Sequence, residues 1–324
     1  MNTYRIYQVD AFTRTKFEGN PAGVVANADG LSDKQMQSIA RELNNSETAF
    51  ILSPDVNSDA EEHDIWVRFF SPMTEVPICG HATVSAHYVY AMENNLPSCV
   101  LKQKVAIGIL PVEIIQNYSV AEDHGDYSHG DYSIMMTQGE VEISPTVSKQ
   151  INDDILLALG ISEADRDQRC PIQVSSTGHS KVMIGINSED TLHELTPNMS
   201  ALASISESVN SNGFFVFALN DAAMNDKTDD SIISHGRMFA PAIGINEDPV
   251  TGNANGPLGA YLVKHKILEV DQNGDDQVSF RAIQGEAMGR PGIVNVIVDS
   301  ENGLPVKVRI GGDAVIAFKT EISV

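Results

Sequence analysis

Two stretches of this chain are written in the same grammar. Arg68-Phe69-Phe70-Ser71-Pro72 leads through Glu75-Val76-Pro77-Ile78-Cys79 into Gly80-His81-Ala82-Thr83. Arg237-Met238-Phe239-Ala240-Pro241 leads through Glu247-Asp248-Pro249-Val250-Thr251 into Gly252-Asn253-Ala254-Asn255. Each is Arg-x-Phe-small-Pro, then an acidic, proline-bearing turn, then a glycine opening a helix. We read this as an internal duplication: two half-chains, each aiming a helix N-terminus at a shared cleft. Such a cleft suits one small carboxylate, because the first N–H groups of a helix lack partners and its dipole favours negative charge there.

The two helices differ in what surrounds them. From His81 to about Asn94 the residues Ala82, Val84, Ala86, Tyr88, Val89, Tyr90 and Ala91 make a helix apolar nearly all round, which belongs at the centre of its half. Its mouth, Cys79-Gly80-His81, then opens inward. Taken alone, His81 reads equally as a helix cap and Cys79 as a small buried apolar residue. In the second copy, Asp248 before Pro249 is extended or turn backbone. Leu258, Tyr261, Leu262 and His265 repeat at helical spacing, and Pro257 is tolerable only in a first turn, which sets the helix start between Asn253 and Gly256. Lys264, His265 and Lys266 close it with positive charge.

Size agrees with duplication. A chain of 324 residues exceeds what one hydrophobic core covers, so two domains are expected, 1–120 and 134–324, with the last strands free to pack back on the first half. Its 21 Lys and Arg against 44 Asp and Glu give a formal charge of −23, which speaks against nucleic acid or an anionic membrane as partner. No apolar run approaches the ~20 residues of a membrane span, and Met1 to Asp10 lacks a basic segment followed by an apolar one. Cys79, Cys99 and Cys170 are odd in number and widely spaced, which suggests neither a disulfide framework nor a zinc site. A cytoplasmic protein is the expectation, and a homodimer the expected assembly.

Along the chain, Tyr4 to Phe12 is a strand, and Gly19-Asn20-Pro21-Ala22-Gly23 breaks the backbone after it. Ser32 and Gln35 form a capping box for a helix whose apolar face is Met36, Ile39, Ala40 and Leu43. Ser46-Glu47-Thr48-Ala49-Phe50-Ile51-Leu52 places Glu47 where a polar loop becomes a buried strand; alone it reads as a solvated carboxylate. Val100 to Lys104 and Gly108 to Ile115 are paired strands. His124-Gly125-Asp126-Tyr127-Ser128 recurs unchanged at 129–133 and reads as a hairpin tip or linker rather than a metal chelator. A helix from Ser148 to Leu159, two strands around the turn Thr177-Gly178-His179-Ser180, a helix from Leu195 to Val209, and a polar loop at 222–231 follow. Four strands end the chain: 278–282, 292–298, 306–310 and 314–318. The acidic stretch 271–276 is a hairpin turn, its glycine misplaced for a calcium loop.

Asp10-Ala11-Phe12, Gly19-Asn20-Pro21-Ala22-Gly23, Ser46-Glu47-Thr48-Ala49-Phe50, Gly80-His81-Ala82-Thr83 and Glu247-Asp248-Pro249-Val250-Thr251-Gly252 together resemble the PhzF-like phenazine-biosynthesis isomerases, closest to their uncharacterised YddE-type branch. The resemblance runs nearly end to end. It implies an α+β protein of the diaminopimelate epimerase fold: two pseudo-symmetric halves, each a curved antiparallel sheet wrapped round a central helix, with the site between them. It also implies a cofactor-independent isomerase or epimerase that moves a proton on a small cyclic or unsaturated carboxylate, using neither metal nor redox group. By the same resemblance Glu47 is the general acid/base, His81 and Asp248 assist, and Ser46, Gly80, Gly252 and Asn253 contact substrate. Asn253 stands where the phenazine-type members have serine, which changes a ligand contact from hydroxyl to amide. A two-thiol racemase is disfavoured, since the turn matching Cys79 offers Thr251. The alternative is a small-carboxylate binder without catalysis, which would need the helix mouths and not Glu47.

Overall fold

The computed structural model describes residues 2–54, 62–117, 132–226, 231–269 and 276–324. The fold is mixed α/β, in two compact units: Met1–Thr137 with Gly311–Val324, and Gln138–Ile310.

The first unit runs β1 (Thr3–Ala11), β2 (Asn20–Val25), α1 (Asp33–Leu43), β3 (Thr48–Leu52), β4 (Ile65–Phe70), β5 (Glu75–Val76), α2 (Gly80–Asn94), β6 (Cys99–Val105), β7 (Gly108–Gln116) and β8 (Tyr132–Thr137). The second runs β9 (Val141–Ile143), α3 (Lys149–Leu159), β10 (Gln173–Thr177), β11 (Ser180–Ile186), α4 (Glu189–Glu194), α5 (Met199–Val209), β12 (Phe214–Leu219), α6 (Asp221–Asp226), β13 (Ile232–Ala240), β14 (Ile245–Asp248), α7 (Gly252–Lys264), β15 (Gln277–Gln284) and β16 (Gly292–Glu301). The last strand, β17 (Leu304–Ser323), belongs to the first unit from Gly311 onward.

In the first unit the strands close on themselves. β1 pairs with β2, β2 with β3, β3 with β4, β4 with β6, β6 with β7 and β7 with β8, while β17 pairs with both β8 and β1. A closed ring has no free edge strand. Its interior is filled by α2, which touches β1, β2, β3, β4, β7 and β8 and is buried without interruption from Gly80 to Val89. That is where a helix apolar on every side must go. α1 packs on the outside, with its Ser32–Gln35 capping box formed and Asn44 closing it in the left-handed region at φ 52°.

In the second unit the order is β9–β10–β11–β12–β13–β15–β16, with β14 added to β13. α7 lies against β9, β10, β11 and β16, buried from Ala254 to Val263. Gly259 permits that approach: a Cβ there would stand 2.7 Å from Val296 and 2.9 Å from Val298. Ile155 and Leu159 of α3, Leu202 of α5 and Phe214 and Val216 of β12 form a separate apolar cluster.

Several sequence expectations change. The sheets are not purely antiparallel: β2–β3 and β4–β6 are parallel in the first unit, β11–β12 and β13–β15 in the second. In every case a helix lies between the two strands in the chain, as a parallel connection requires. The helix expected from Leu195 to Val209 starts only at Met199, because Pro197 cannot continue a helix and Asn198 caps the new one by accepting from the Ala201 amide at 3.1 Å, and a separate short helix, α4, ends before Leu195. Residues expected as a polar loop after 221 begin with α6, capped by Asn220. α7 starts at Gly252, so Pro257 sits in its second turn rather than its first. The proline gives up the helical bond its amide would have made to the carbonyl four residues back, while its own carbonyl accepts from Ser175 Oγ at 2.9 Å. The two final strands are one, β17. Gly311, expected to end a strand, is needed for contact, since a Cβ there would stand 2.2 Å from the Ile134 carbonyl oxygen. The tandem repeat at 124–133 lies outside the described residues except for Tyr132 and Ser133, and the turn at 271–276 except for Asp276.

The Arg-x-Phe motif recurs as structure. In the first unit Arg68 of β4 forks onto Glu75 of β5 with two bonds of 2.8 Å and lies 5.2 Å over the Phe70 ring. In the second, Arg237 of β13 forks onto Glu247 of β14 with two bonds of 2.8 Å and lies 5.0 Å over Phe239. Each fork fastens the acidic turn that leads to the interior helix of its unit.

Candidate active site

In the first unit Glu47 immediately precedes β3, and its carbonyl accepts from the Gly23 amide of β2 at 3.3 Å, which fixes the residue at the strand's mouth. Cys79 is the N-cap of α2, in extended conformation, with no side-chain cap bond. His81 lies inside the first turn and caps nothing, contrary to the capping alternative. Four side chains meet here. Glu47 Oε2 is 3.4 Å from His81 Nε2 and 3.5 Å from Cys79 Sγ; His81 Nδ1 is 3.5 Å from Cys79 Sγ, and Ser46 Oγ is 3.2 Å from His81 Nε2. The His81 side chain is 8% exposed and that of Glu47 18%, so both are largely withdrawn from solvent.

This arrangement can handle a proton. A carboxylate flanked by a thiol and an imidazole has partners for both its charged and its protonated form. First-turn amides of α2, beginning with Gly80, are left uncapped by the N-cap side chain and present the positive end of the helix.

In the second unit the turn before α7 is built round Gln284, at the end of β15. Its Nε2 donates to the Asp248 carbonyl at 2.8 Å and to Thr251 Oγ1 at 3.2 Å; its Oε1 accepts from the Thr251 amide and from Asn255 Nδ2, both at 3.1 Å. Thr251 is the N-cap of α7 yet makes no cap bond, because its hydroxyl donates to the Asp248 carboxylate. The amide of Gly252 therefore opens a second uncapped helix mouth. Asn253 Oδ1 accepts from Gln138 Nε2 at 2.9 Å, and Gln138 Oε1 accepts from Thr177 Oγ1 at 2.6 Å. Lys181 completes the group. Burial pushes its ammonium down to about 8, against the opposing pull of the Asp248 charge.

Of the seven site residues expected from sequence, Ser46, Glu47, Gly80 and His81 come together in the first unit, and Asp248, Gly252 and Asn253 in the second. Cys79, read as apolar, touches both Glu47 and His81. Gln284, Gln138 and Lys181 were not singled out. Lys181 had a visible signal, a charge opening the apolar run Val182-Met183-Ile184. Among the described residues, two trios have donors close enough to share a metal ion: Glu47, Cys79 and His81, and, elsewhere, His193, His235 and Glu286.

Comparison with known proteins agrees with the motifs. The family model described as phenazine biosynthesis-like protein matches residues 9–320. An uncharacterised isomerase of Clostridium acetobutylicum, CA_C3446, is 51% identical over 98% of this chain and 98% of its own. The trans-2,3-dihydro-3-hydroxyanthranilate isomerase of Pseudomonas fluorescens is 30% identical over 97% of each. Among solved structures, a PhzF-family phenazine biosynthesis protein of Bacillus anthracis superposes with a TM-score of 0.81 at 29% identity, covering 100% of both chains.

Proposed function

The chain belongs to the phenazine biosynthesis-like protein family and is an isomerase, and from that premise we propose that it moves a proton between carbons of a small cyclic or unsaturated carboxylate, with Glu47 as the group that takes and returns it. The observation that supports this reading most is the set of contacts around Glu47. Its Oε2 lies within 3.5 Å of both the Cys79 thiol and the His81 ring. In the proposed step Glu47 removes a proton from an sp³ carbon next to a double bond. The electron pair left behind spreads through the unsaturated system, and the same carboxyl returns the proton to the far carbon. Nothing is oxidised or reduced, so the reaction needs no redox cofactor, and helix-end amides can serve in place of a metal to stabilise the charge.

Other residues take lesser roles. His81 orients Glu47 and shares its charge, Asp248 assists from the turn that Thr251 and Gln284 hold, and Ser46, Gly80, Gly252 and Asn253 contact substrate. The Pseudomonas relative is named for a dihydro-hydroxyanthranilate, an unsaturated ring acid, which supports the substrate class. Asn253 argues for a different member of it. Its Oδ1 is engaged by Gln138, so the amide nitrogen is the end that remains to meet a ligand acceptor.

A panel of cyclic and unsaturated acids, incubated with the protein in deuterated water and followed by mass spectrometry, tests the reading. One or more should gain a carbon-bound deuteron. If none in a panel that includes dihydroanthranilate analogues and cyclic amino acids exchanges, and all that bind do so equally well after Glu47→Gln, the protein is a binder.

A further inference from the structure

A second cluster of chemistry lies in the second unit and shares no residue with the one just described. α4 brings His193, β13 brings His235, and the turn after β15 brings Glu286. Glu286 Oε2 is 3.2 Å from His193 Nε2 and 2.8 Å from His235 Nδ1, so two imidazole nitrogens converge on one carboxylate oxygen. The two rings stand 6.4 Å apart, inclined at 72°. On its far side, His235 Nε2 is 3.3 Å from Glu189 Oε1.

We propose that His193 Nε2, His235 Nδ1 and the Glu286 carboxylate bind one divalent cation of the zinc type, with Glu189 fixing His235 from behind. The donor set suits that ion, which takes imidazole nitrogen and carboxylate oxygen in a tetrahedron. Zinc–nitrogen bonds of 2.0–2.1 Å set tetrahedral donors about 3.3 Å apart. The 3.2 Å pair already has that spacing, and the 2.8 Å pair must open by a few tenths of an ångström.

Glu189 supplies what a bare trio of ligands lacks. A metal-bound histidine ordinarily donates its other ring N–H to a carboxylate, which fixes the tautomer and leaves the near nitrogen's lone pair free for the ion. Among the described residues the Glu47 trio shows no outer carboxylate behind its histidine: His81 Nδ1 faces Cys79, and Nε2 faces Glu47 and the Ser46 hydroxyl. His193 is held from its backbone as well. Arg237 donates to the carbonyls of Leu192, His193 and Leu195 at 3.0, 3.3 and 2.9 Å, pinning the end of α4. The His193 side chain is 35% exposed, which gives the ion an entry and a water the fourth position. The bound ion would tie α4, β13 and the turn after β15 together.

The test uses the full chain, stripped with chelator and dialysed, then titrated with zinc alone against a chromophoric zinc indicator. Wild type and the Glu47→Gln/Cys79→Ser protein should each take up one equivalent and show a raised melting midpoint with zinc. His193→Gln and Glu286→Gln should lose that equivalent while melting as wild type does without metal, and Glu189→Gln should weaken binding by about 10–100-fold. Cobalt in the wild type supplies a reading independent of any variant: a tetrahedral spectrum without a thiolate charge-transfer band. Zinc uptake unchanged in His193→Gln and Glu286→Gln, lost in Glu47→Gln/Cys79→Ser, or absent from the wild type would each overturn the proposal.

Discussion

Cys79 Sγ stands 3.5 Å from Glu47 Oε2 and the same distance from His81 Nδ1, so the one thiol at this helix mouth bridges the two groups expected to share a proton. A cysteine at an N-cap is unusual, because it leaves the helix end without the hydrogen bond that serine or aspartate would give. The position keeps the first-turn amides open and sets a soft, weakly acidic donor beside the carboxylate.

Glu47→Gln keeps shape and removes the titrating group. With an identified substrate, it should lower turnover by about 10²-fold or more, the usual contribution of general acid–base catalysis, and leave ligand affinity within a few-fold. Deuterium should enter product with the wild type and not with the variant. Retention of exchange in Glu47→Gln, with loss in Asp248→Asn or Cys79→Ser, would show that a different group carries the proton.

The two arginine forks should differ in cost. Arg237 and Glu247 have side chains 9% and 16% exposed, and Arg237 also satisfies three backbone carbonyls. Arg237→Met leaves a nearly buried carboxylate without its cation and takes a donor from each of those carbonyls, a loss on the order of 3–5 kcal/mol. The Arg68 side chain is 14% exposed, but Glu75 is 39% and Asp33 80% exposed, so Arg68→Met leaves charges that water can reach. That change should cost about 1 kcal/mol. Urea midpoints of the two variants decide the matter, and equal losses would refute the distinction.

His87 should make the protein acid-sensitive. It is fully buried in α2, its Nδ1 lies 3.0 Å from the Thr83 carbonyl, its Nε2 meets no partner among the described residues, and burial pushes the ring down to about 4 from 6.5. A folded-state value below the unfolded one means the unfolded chain binds the extra proton between those limits. Stability is therefore constant above about pH 6.5 in this respect and falls as pH drops toward 4, by up to roughly 3 kcal/mol. The difference in urea stability between pH 7 and pH 4.5 should shrink in His87→Leu. An unchanged difference would show that other groups account for all of the acid loss.

How much of this was legible depends on how local the cause is. α1 and α2 were readable because a capping box and an all-apolar helix announce themselves within a few residues. The break between α4 and α5 was also local, and Pro197 marked it. The parallel joints were not, since pairing partners are chosen by the whole sheet. At the site, Glu47 looks like any loop carboxylate until Cys79 and His81, more than thirty residues downstream, are brought to it. Family likeness, not spacing, singled it out. Gln284 reaches Asp248 and Thr251 from another strand, 36 and 33 residues away, and no neighbour of a glutamine announces such a role.

The ring of the first unit is closed by β17, and the backbones of Asn2 and Val324 exchange hydrogen bonds of 3.1 and 3.0 Å. During synthesis this unit therefore waits for the far end of the chain, whereas Gln138–Ile310 emerges in one piece. The usual order, with the N-terminal part folding first as it leaves the ribosome, should be reversed. On ribosomes stalled on a C-terminal extension just long enough that Ile310 has left the exit tunnel while Gly311–Val324 are still inside it, a protease should find the middle of the protein resistant and its beginning still cleavable. Protection of β1 before β17 has emerged would contradict this.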